Sequence, residues 1–362
     1  MIKRHVILTS LTLLITFFAL LSAFKPFVEK SKGLKDYYKD FFPIGVALTQ
    51  SDLNGKNSEL IIHQFNSVTA ENSMKMGPIH PLENEYNWKI GDSIAAFARR
   101  NNLKMRGHCL VWHTQTPRWF FKDEQGNTVS KDLLLKRLKE HIHTVVNHYK
   151  EDIYAWDVVN EVIADDSTYF RNSQFYKIAG EDFIEMAFRY AHEADPKARL
   201  FYNDYNTEQP KKRDKIYKML KALLARGVPI HGIGLQGHWS VSNPSRSELE
   251  KSIALFAGLG LDVQITELDV SVYDGSQGGQ LIQNAAQKAK AEFTPEMESR
   301  QLAQYKMIFE VLRKYKKNIT GVTFWNLSDR YTWLDVRGRK NYPLLFDTEL
   351  KPKKAFYEVT KF

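Results

Sequence analysis

Two stretches decide the reading of this chain: Trp156-Asp157-Val158-Val159-Asn160-Glu161 and Gln264-Ile265-Thr266-Glu267-Leu268-Asp269. Each is a β-branched, apolar run that ends abruptly in a glutamate. A run of this kind reads as a strand covered on both faces, as in a parallel sheet. An ionised carboxylate is costly to bury, so each glutamate is expected just past the end of its strand, in a cleft.

Working outward, similar runs recur along the chain. Strands are predicted at Ile44–Leu48, Ser67–Ala70, Lys104–Gly107, Ala155–Val159, Arg199–Asn203, Gly232–Gln236, Asp262–Thr266 and Gly321–Trp325. Between them lie amphipathic segments, among them Ile90–Asn101, Asp132–Tyr149, Phe183–Glu193, Asp214–Arg226, Ser247–Leu259 and Glu296–Tyr315. Strand and helix in repeated alternation predict an α/β fold, the (β/α)8 TIM barrel, as one catalytic domain over residues 24–362. An open doubly wound sheet is the alternative, but no G-x-G-x-x-G follows the first strand. No period of about 20–50 residues is visible, which excludes solenoids and propellers.

Residues 1–23 read as a targeting segment: Lys3 and Arg4, then an apolar stretch from Val6 to Ala23. The stretch is short for a membrane span of about 20 residues and fits a secretory signal. That implies a secreted or periplasmic protein, with an uncleaved N-terminal membrane anchor as the alternative. One segment breaks the rhythm, the Gly/Gln-rich stretch 274–293 after the seventh strand; it reads as an inert insertion or the flank of a lid.

Net charge is +9 and the pI about 9.2. The basic residues are scattered over helical faces rather than gathered in a stripe, which argues against a nucleic-acid partner. The single cysteine, Cys109, sits in an apolar run and reads as a small core residue. No metal-ligand spacing stands out and no cofactor is implied. The expected oligomeric state is a monomer.

In a barrel the carboxyl ends of the strands converge on one face. The residues predicted there are Glu71, Asn72 and Lys75 after strand two, and His108, Trp112, His113 and Gln115 after strand three. Asn160 and Glu161 follow strand four, and Asp204, Tyr205 and Asn206 follow strand five. Gln236, His238 and Trp239 come next, then Glu267 and Asp269, then Trp325, Asn326 and Trp333. Taken singly, each has a bland reading: a glutamate capping a helix, a satisfied core histidine, an indole sealing the barrel mouth. Their coincidence at one end of eight strands shifts the balance. The set can hydrogen-bond hydroxyls and stack on sugar rings. Two carboxyls across one pocket are also what glycoside hydrolysis uses.

The ordered motifs resemble glycoside hydrolase family 10, the endo-β-1,4-xylanase family. They are Thr69-Ala70-Glu71-Asn72 with Lys75, Gly107-His108-Cys109-Leu110-Val111-Trp112-His113, Trp156 to Glu161, Asn203-Asp204-Tyr205-Asn206, Gly234-Leu235-Gln236-Gly237-His238, Ile265-Thr266-Glu267-Leu268-Asp269, and Phe324-Trp325 with Trp333. The resemblance implies a retaining endo-β-1,4-xylanase acting on xylan and xylo-oligosaccharides, with Glu161 as acid/base and Glu267 as nucleophile. It implies that Asn160 binds the sugar 2-hydroxyl, and that Glu71, Asn72, Lys75, His108, Trp112, Gln115, Trp325 and Trp333 line the non-reducing side. Tyr205 would serve the reducing side. Gln236 and His238 would orient Glu267, with Asp269 behind His238. For retention the two carboxyls belong about 5–5.5 Å apart. A β-1,4-glucanase or mannanase of the same clan and a decayed sugar-binding barrel are the rival readings. Crowding by Lys75, Gln115 and Trp333 around C5 of the sugar argues against the first, and the presence of both glutamates against the second.

Overall fold

The computed structural model describes residues 31–274, 292–335 and 339–362. The predicted leader at 1–23 and all but the ends of the 274–293 stretch lie outside the described residues. The chain divides into Met1–Lys32 and Gly33–Phe362, and every labelled element belongs to the second unit.

The strands are β1 (Ile44–Leu48), β2 (Ser67–Ala70), β3 (Lys104–Trp112), β4 (Ile153–Asn160), β5 (Arg199–Asp204), β6 (Gly232–Leu235), β7 (His238–Ser240), β8 (Asp262–Ser271) and β9 (Ile319–Phe324). The pairings are parallel, β1 lies between β2 and β9, and β6 pairs with β8. Eight strands therefore close into a barrel, as predicted. The short β7 is a ninth strand that the sequence reading did not separate from β6. It pairs with the far end of β8, His238 opposite Asp269.

The principal helices are α1 (Gly55–Gln64), α2 (Lys89–Arg100), α3 (Lys131–His148), α4 (Asp182–Ala194), α5 (Pro210–Ala225), α6 (Arg246–Ala257), α7 (Pro295–Lys314) and α8 (Lys354–Val359). In α3 the buried positions Leu134, Leu138, Ile142 and Val145 recur at helical spacing and face the barrel. Ser130 caps α3 by accepting from Leu133 N, Ser245 caps α6 from Glu248 N, and Thr294 caps α7 from Met297 N. The sequence reading did not single out α1 and α8. In α1 only Ile61 and Gln64 are buried, too thin a stripe to register as periodicity.

Two strands run further than predicted. The reading ended the third strand at Gly107 and the seventh at Thr266, whereas β3 reaches Trp112 and β8 reaches Ser271. Both carry register shifts, between His108 and Val111 and between Ile265 and Leu268. A bulge re-aims side chains, so polar residues such as His108, Glu267 and Asp269 interrupt the apolar runs while pairing continues. Glu161 follows β4 directly, as expected, but Glu267 lies inside β8 rather than past its end.

Inside the barrel, beneath its carboxyl end, lies an ion pair. The Arg106 and Asp157 side chains are 1% and 0% exposed and pair in bidentate fashion. Arg106 Nε also donates to Gln264 Oε1 at 3.0 Å, linking β3 to β8 across the interior. Asp157 Oδ2, which pairs with Arg106 Nη1, also meets His108 Nδ1 at 2.9 Å. Gly107 leaves room for this layer: a Cβ there would stand 2.2 Å from the Trp156 indole.

Removing one partner of a buried pair leaves an uncompensated charge. Asp157→Leu should lower the unfolding free energy by about 3–5 kcal/mol, measured by urea titration. Adding Arg106→Met should recover part of that loss. A single-variant loss no larger than the double-variant loss would contradict the pair's structural role.

Candidate active site

The strand ladder continues one residue past the barrel and fixes the site's backbone. Glu71 N donates to Leu48 O (3.0 Å), Glu161 N to Asn203 O (2.9 Å), Gln236 N to Asp204 O (3.0 Å), Glu267 N to Gln236 O (2.6 Å) and Trp325 N to Leu268 O (3.0 Å). Each of these residues is thus tied to the neighbouring strand before its side chain does anything. Glu161 itself (φ 59°) is held in left-handed backbone, as are Gln115 (φ 53°), Asn206 (φ 54°) and Asn326 (φ 96°) nearby. Non-glycine residues seldom adopt it, and such outliers cluster at functional sites.

These side chains surround a cavity of about 460 Å3, within the usual range of about 300–1,000 Å3 for ligand sites. Glu71, Asn72, Lys75, His108, Trp112, Asn160, Glu161, Tyr205, Gln236, His238, Glu267, Trp325 and Trp333 all line it. Gln115, expected to line the non-reducing side, does not and is exposed on the loop after β3; Asp204, Asn206, Trp239, Asp269 and Asn326, also predicted at this face, lie outside the lining. His113, Arg171 and Tyr331 complete the lining. The sequence reading placed His113 at this face without assigning it a role; Arg171 and Tyr331 arrive on loops that carry no periodic signal.

The two glutamates sit in different company. Glu267 is 4% exposed. Its Oε1 accepts from Asn203 Nδ2 at 2.7 Å, and its Oε2 lies 3.1 Å from His238 Nε2. His238 Nδ1 is 2.9 Å from Asp269 Oδ2, which also accepts from Trp333 Nε1 at 2.8 Å. Burial pushes the Glu267 carboxyl up, but His108, His238 and Lys75 more than reverse this and bring it to about 2. Burial lowers His238, yet the Asp269 and Glu267 carboxylates raise it to about 10. Asp269 is itself held above its ordinary range by burial, against the pull of His238. The physical result is an imidazolium clamped between two carboxylates, with Glu267 ionised.

Glu161 has uncharged partners on its carboxyl. Oε2 accepts from Trp112 Nε1 at 2.9 Å and Oε1 from Gln236 Nε2 at 2.9 Å. Its backbone oxygen accepts from Arg171 Nε at 2.9 Å. One expectation is therefore corrected. The Gln236 side chain bonds Glu161, and also approaches Asn160 at 3.2 Å, but makes no bond to Glu267. The amide on Glu267 comes from Asn203, which the sequence reading quoted in a motif without giving it a role. Thr266 Oγ1 donates to Asn203 Oδ1 at 2.6 Å and so turns its Nδ2 toward Glu267. A Cβ at position 234 would stand 2.1 Å from that Oδ1, which is why glycine faces it.

The two ends of the cleft are built from different groups. On the β4–β5 side, the Tyr205 hydroxyl bonds Asp165 and accepts from Arg171 Nη2 at 2.7 Å. Lys212 Nζ lies 3.4 Å from the Tyr205 ring centre and bridges Asp204 (2.8 Å) and Asp165 (3.0 Å). On the opposite side of the barrel mouth, Glu71 accepts from Asn326 Nδ2 at 3.1 Å and Tyr331 OH at 3.2 Å. Burial raises the Glu71 carboxyl despite these bonds. Lys75 Nζ donates to Asn72 Oδ1 at 2.9 Å and stands 4.8 Å from the Trp112 ring centre and 5.8 Å from that of Trp325. Among the described residues no cluster of His, Cys, Asp and Glu has the geometry of a metal site.

The family model described as Glycosyl hydrolase family 10 matches residues 33–362. The chain is 48% identical over 369 positions to a β-1,4-xylanase of Dictyoglomus thermophilum, covering 99% of each protein. It is 47% identical over 332 residues to endo-1,4-β-xylanase B of Paenibacillus barcinonensis, covering 90% of this chain and 97% of the other. A crystal structure of a Paenibacillus barcinonensis xylanase with a conduramine derivative superposes with a TM-score of 0.87 at 46% identity, over 92% of this chain and 99% of that one. A glutamate-to-alanine variant bound to xylotriose gives a TM-score of 0.87 at 42% identity, over 92% of this chain and all of the other.

The charge pattern has a consequence for stability. His238 rises from 6.5 to about 10 on folding, so its contribution is complete below pH 6.5 and is lost as pH climbs toward 10. Unfolding free energy from urea titrations should therefore fall across that window. In His238→Gln the fall should flatten. An equally steep alkaline decline in the variant would contradict the assignment.

Proposed function

The chain belongs to glycosyl hydrolase family 10, and from that membership together with the cleft we propose that it is a retaining endo-β-1,4-xylanase with Glu161 as acid/base and Glu267 as nucleophile. The observation that carries the assignment is the difference between the two carboxyls. Glu267 is ionised, brought to about 2, and held by a cationic His238, whereas Glu161 is held by an indole and an amide.

In the first step Glu161 gives its proton to the glycosidic oxygen as the C1–O bond breaks, and a Glu267 carboxylate oxygen bonds to C1. The leaving chain departs over Tyr205, on the β4–β5 side. Glu267 loses its charge on forming the ester. His238 stays compensated because Asp269 remains beside it at 2.9 Å, so no isolated buried cation is created. In the second step the Glu161 carboxylate takes a proton from water, whose oxygen attacks C1 and frees Glu267 with retained configuration. Asn160, wedged between Asn203 and Gln236, binds the 2-hydroxyl beside both carboxyls. Trp333 and Lys75 close over C5, where xylose carries only hydrogens, and so exclude a hydroxymethyl group.

The test is Glu161→Ala. Hydrolysis of unactivated xylan should fall by about 10²–10⁴-fold. Aryl xylosides with good leaving groups should keep their first step, and azide should rescue breakdown of the intermediate as a β-glycosyl azide. The unaltered protein should leave carboxymethyl-cellulose nearly untouched beside xylan. Equal loss on both substrate types without azide rescue would overturn the role of Glu161, and comparable rates on cellulose would overturn the xylan specificity.

A further inference from the structure

The segment after β9, residues 325–335, carries Trp333 to the cleft, where its Nε1 donates to Asp269 Oδ2 at 2.8 Å. The other side of the segment rests on a buried ion pair that the chemistry does not use. Asp329 Oδ2 accepts from Lys353 Nζ at 2.8 Å, with the two side chains 1% and 7% exposed. Asp329 Oδ1 accepts from Leu344 N at 2.8 Å, and Asp329 N donates to Phe346 O at 2.9 Å. Lys353 Nζ donates a second time, to Tyr342 O at 2.7 Å.

What the pair grips is itself fastened to the end of β8. Val270 N donates to Pro343 O at 3.1 Å, and Asn341 Nδ2 donates to Ser271 Oγ at 2.9 Å. Gln301 Nε2 of α7 donates to both Val270 O (2.9 Å) and Tyr342 O (2.6 Å). Val270 follows Asp269 directly, so the contacts close a circuit: Asp269 and Val270 on β8, then Pro343 and Leu344, then Asp329, and back through Trp333 to Asp269. Between Asp329 and Trp333 the chain has little slack, because Tyr331 N donates to Ser328 O and Leu334 N to Thr332 Oγ1, each at 3.2 Å. A buried ion pair adds little net stability over well-packed apolar side chains, and its best-attested use is to fix one arrangement. Aliphatic side chains at 329 and 353 would also leave Leu344 N without its side-chain acceptor.

We propose that Asp329 and Lys353 are positioning residues for substrate choice: they anchor the 325–335 segment, hold the Trp333 indole on Asp269, and so keep the space at C5 of the sugar closed. The inference rests on the xylanase reading above, in which Trp333 excludes a hydroxymethyl group. Neither side chain lines the catalytic cavity, so the pair acts through Trp333 rather than on the sugar.

The experiment measures kcat/KM for an aryl β-xylobioside and the matching aryl β-cellobioside and takes their ratio. Both substrates meet the same folded molecules, so a loss of folded protein cancels from the ratio. The unaltered protein should favour the xylobioside strongly. Lys353→Met should cut that preference by about 3–10-fold, and Lys353→Arg, which keeps the charge, should retain most of it. The double variant Asp329→Leu/Lys353→Met leaves no lone buried charge, so it carries the test if Lys353→Met does not fold; its preference should fall as far. Leu138→Ala, which opens a void in the buried face of α3, should leave the ratio unchanged. Trp333→Ala should lower the ratio, and adding Lys353→Met to it should lower it no further, because both act at one point. A ratio unmoved in Lys353→Met and in the Asp329→Leu/Lys353→Met variant, or independent additive effects of Lys353→Met and Trp333→Ala, would overturn the positioning role and leave the xylanase reading intact. A ratio near one in the unaltered protein would overturn the exclusion at C5 itself, and the role of the pair with it.

Discussion

A buried nucleophile must be charged to react and compensated to exist. Glu267, the proposed nucleophile, meets both requirements because His238, drawn up to about 10 by two carboxylates, stays protonated beside it. The Asp269–His238–Glu267 chain is therefore the constraint around which the rest is arranged. It explains why β8 runs through Glu267 rather than stopping before it. The strand must continue to Asp269, and β7 must pair there, for the imidazole to be gripped from both sides.

The barrel below serves the same end. Arg106 and Asp157 tie β3 to β4, and Gln264 brings in β8. His108 connects that ion pair to the site, 2.9 Å from Asp157 and 3.9 Å from Glu267. A polar layer in a barrel interior is harder to stabilise than branched aliphatic side chains. Its contact with His108 gives it a use: it orients the imidazole that stands beside Glu267.

Much of this was legible in the sequence, for a physical reason. A strand covered on both faces must be apolar, so Trp156 to Asn160 announces itself and Glu161 marks where burial ends. The helices α3 and α7 declare themselves by apolar spacing and capping residues. What the sequence hid falls into two kinds. Bulges bring polar residues, His108 in β3 and Glu267 and Asp269 in β8, into strands whose pairing continues, so both strands read as too short. Amide partners are set by side chains from strands distant in sequence, so the division of labour between Asn203 on Glu267 and Gln236 on Glu161 could not be read from their positions. Tyr331 and Arg171 reach the cleft from loops, where no periodicity points inward.

In the proposed mechanism Glu267 forms the covalent bond to the sugar. A 2-deoxy-2-fluoro-β-xylobioside with an activated leaving group slows the second step more than the first and so accumulates the intermediate. Peptide mass spectrometry of the trapped protein should find the fluoroxylobiosyl group on Glu267. The same label on Glu161, or inactivation that leaves the Glu267 peptide unmodified, would contradict the account.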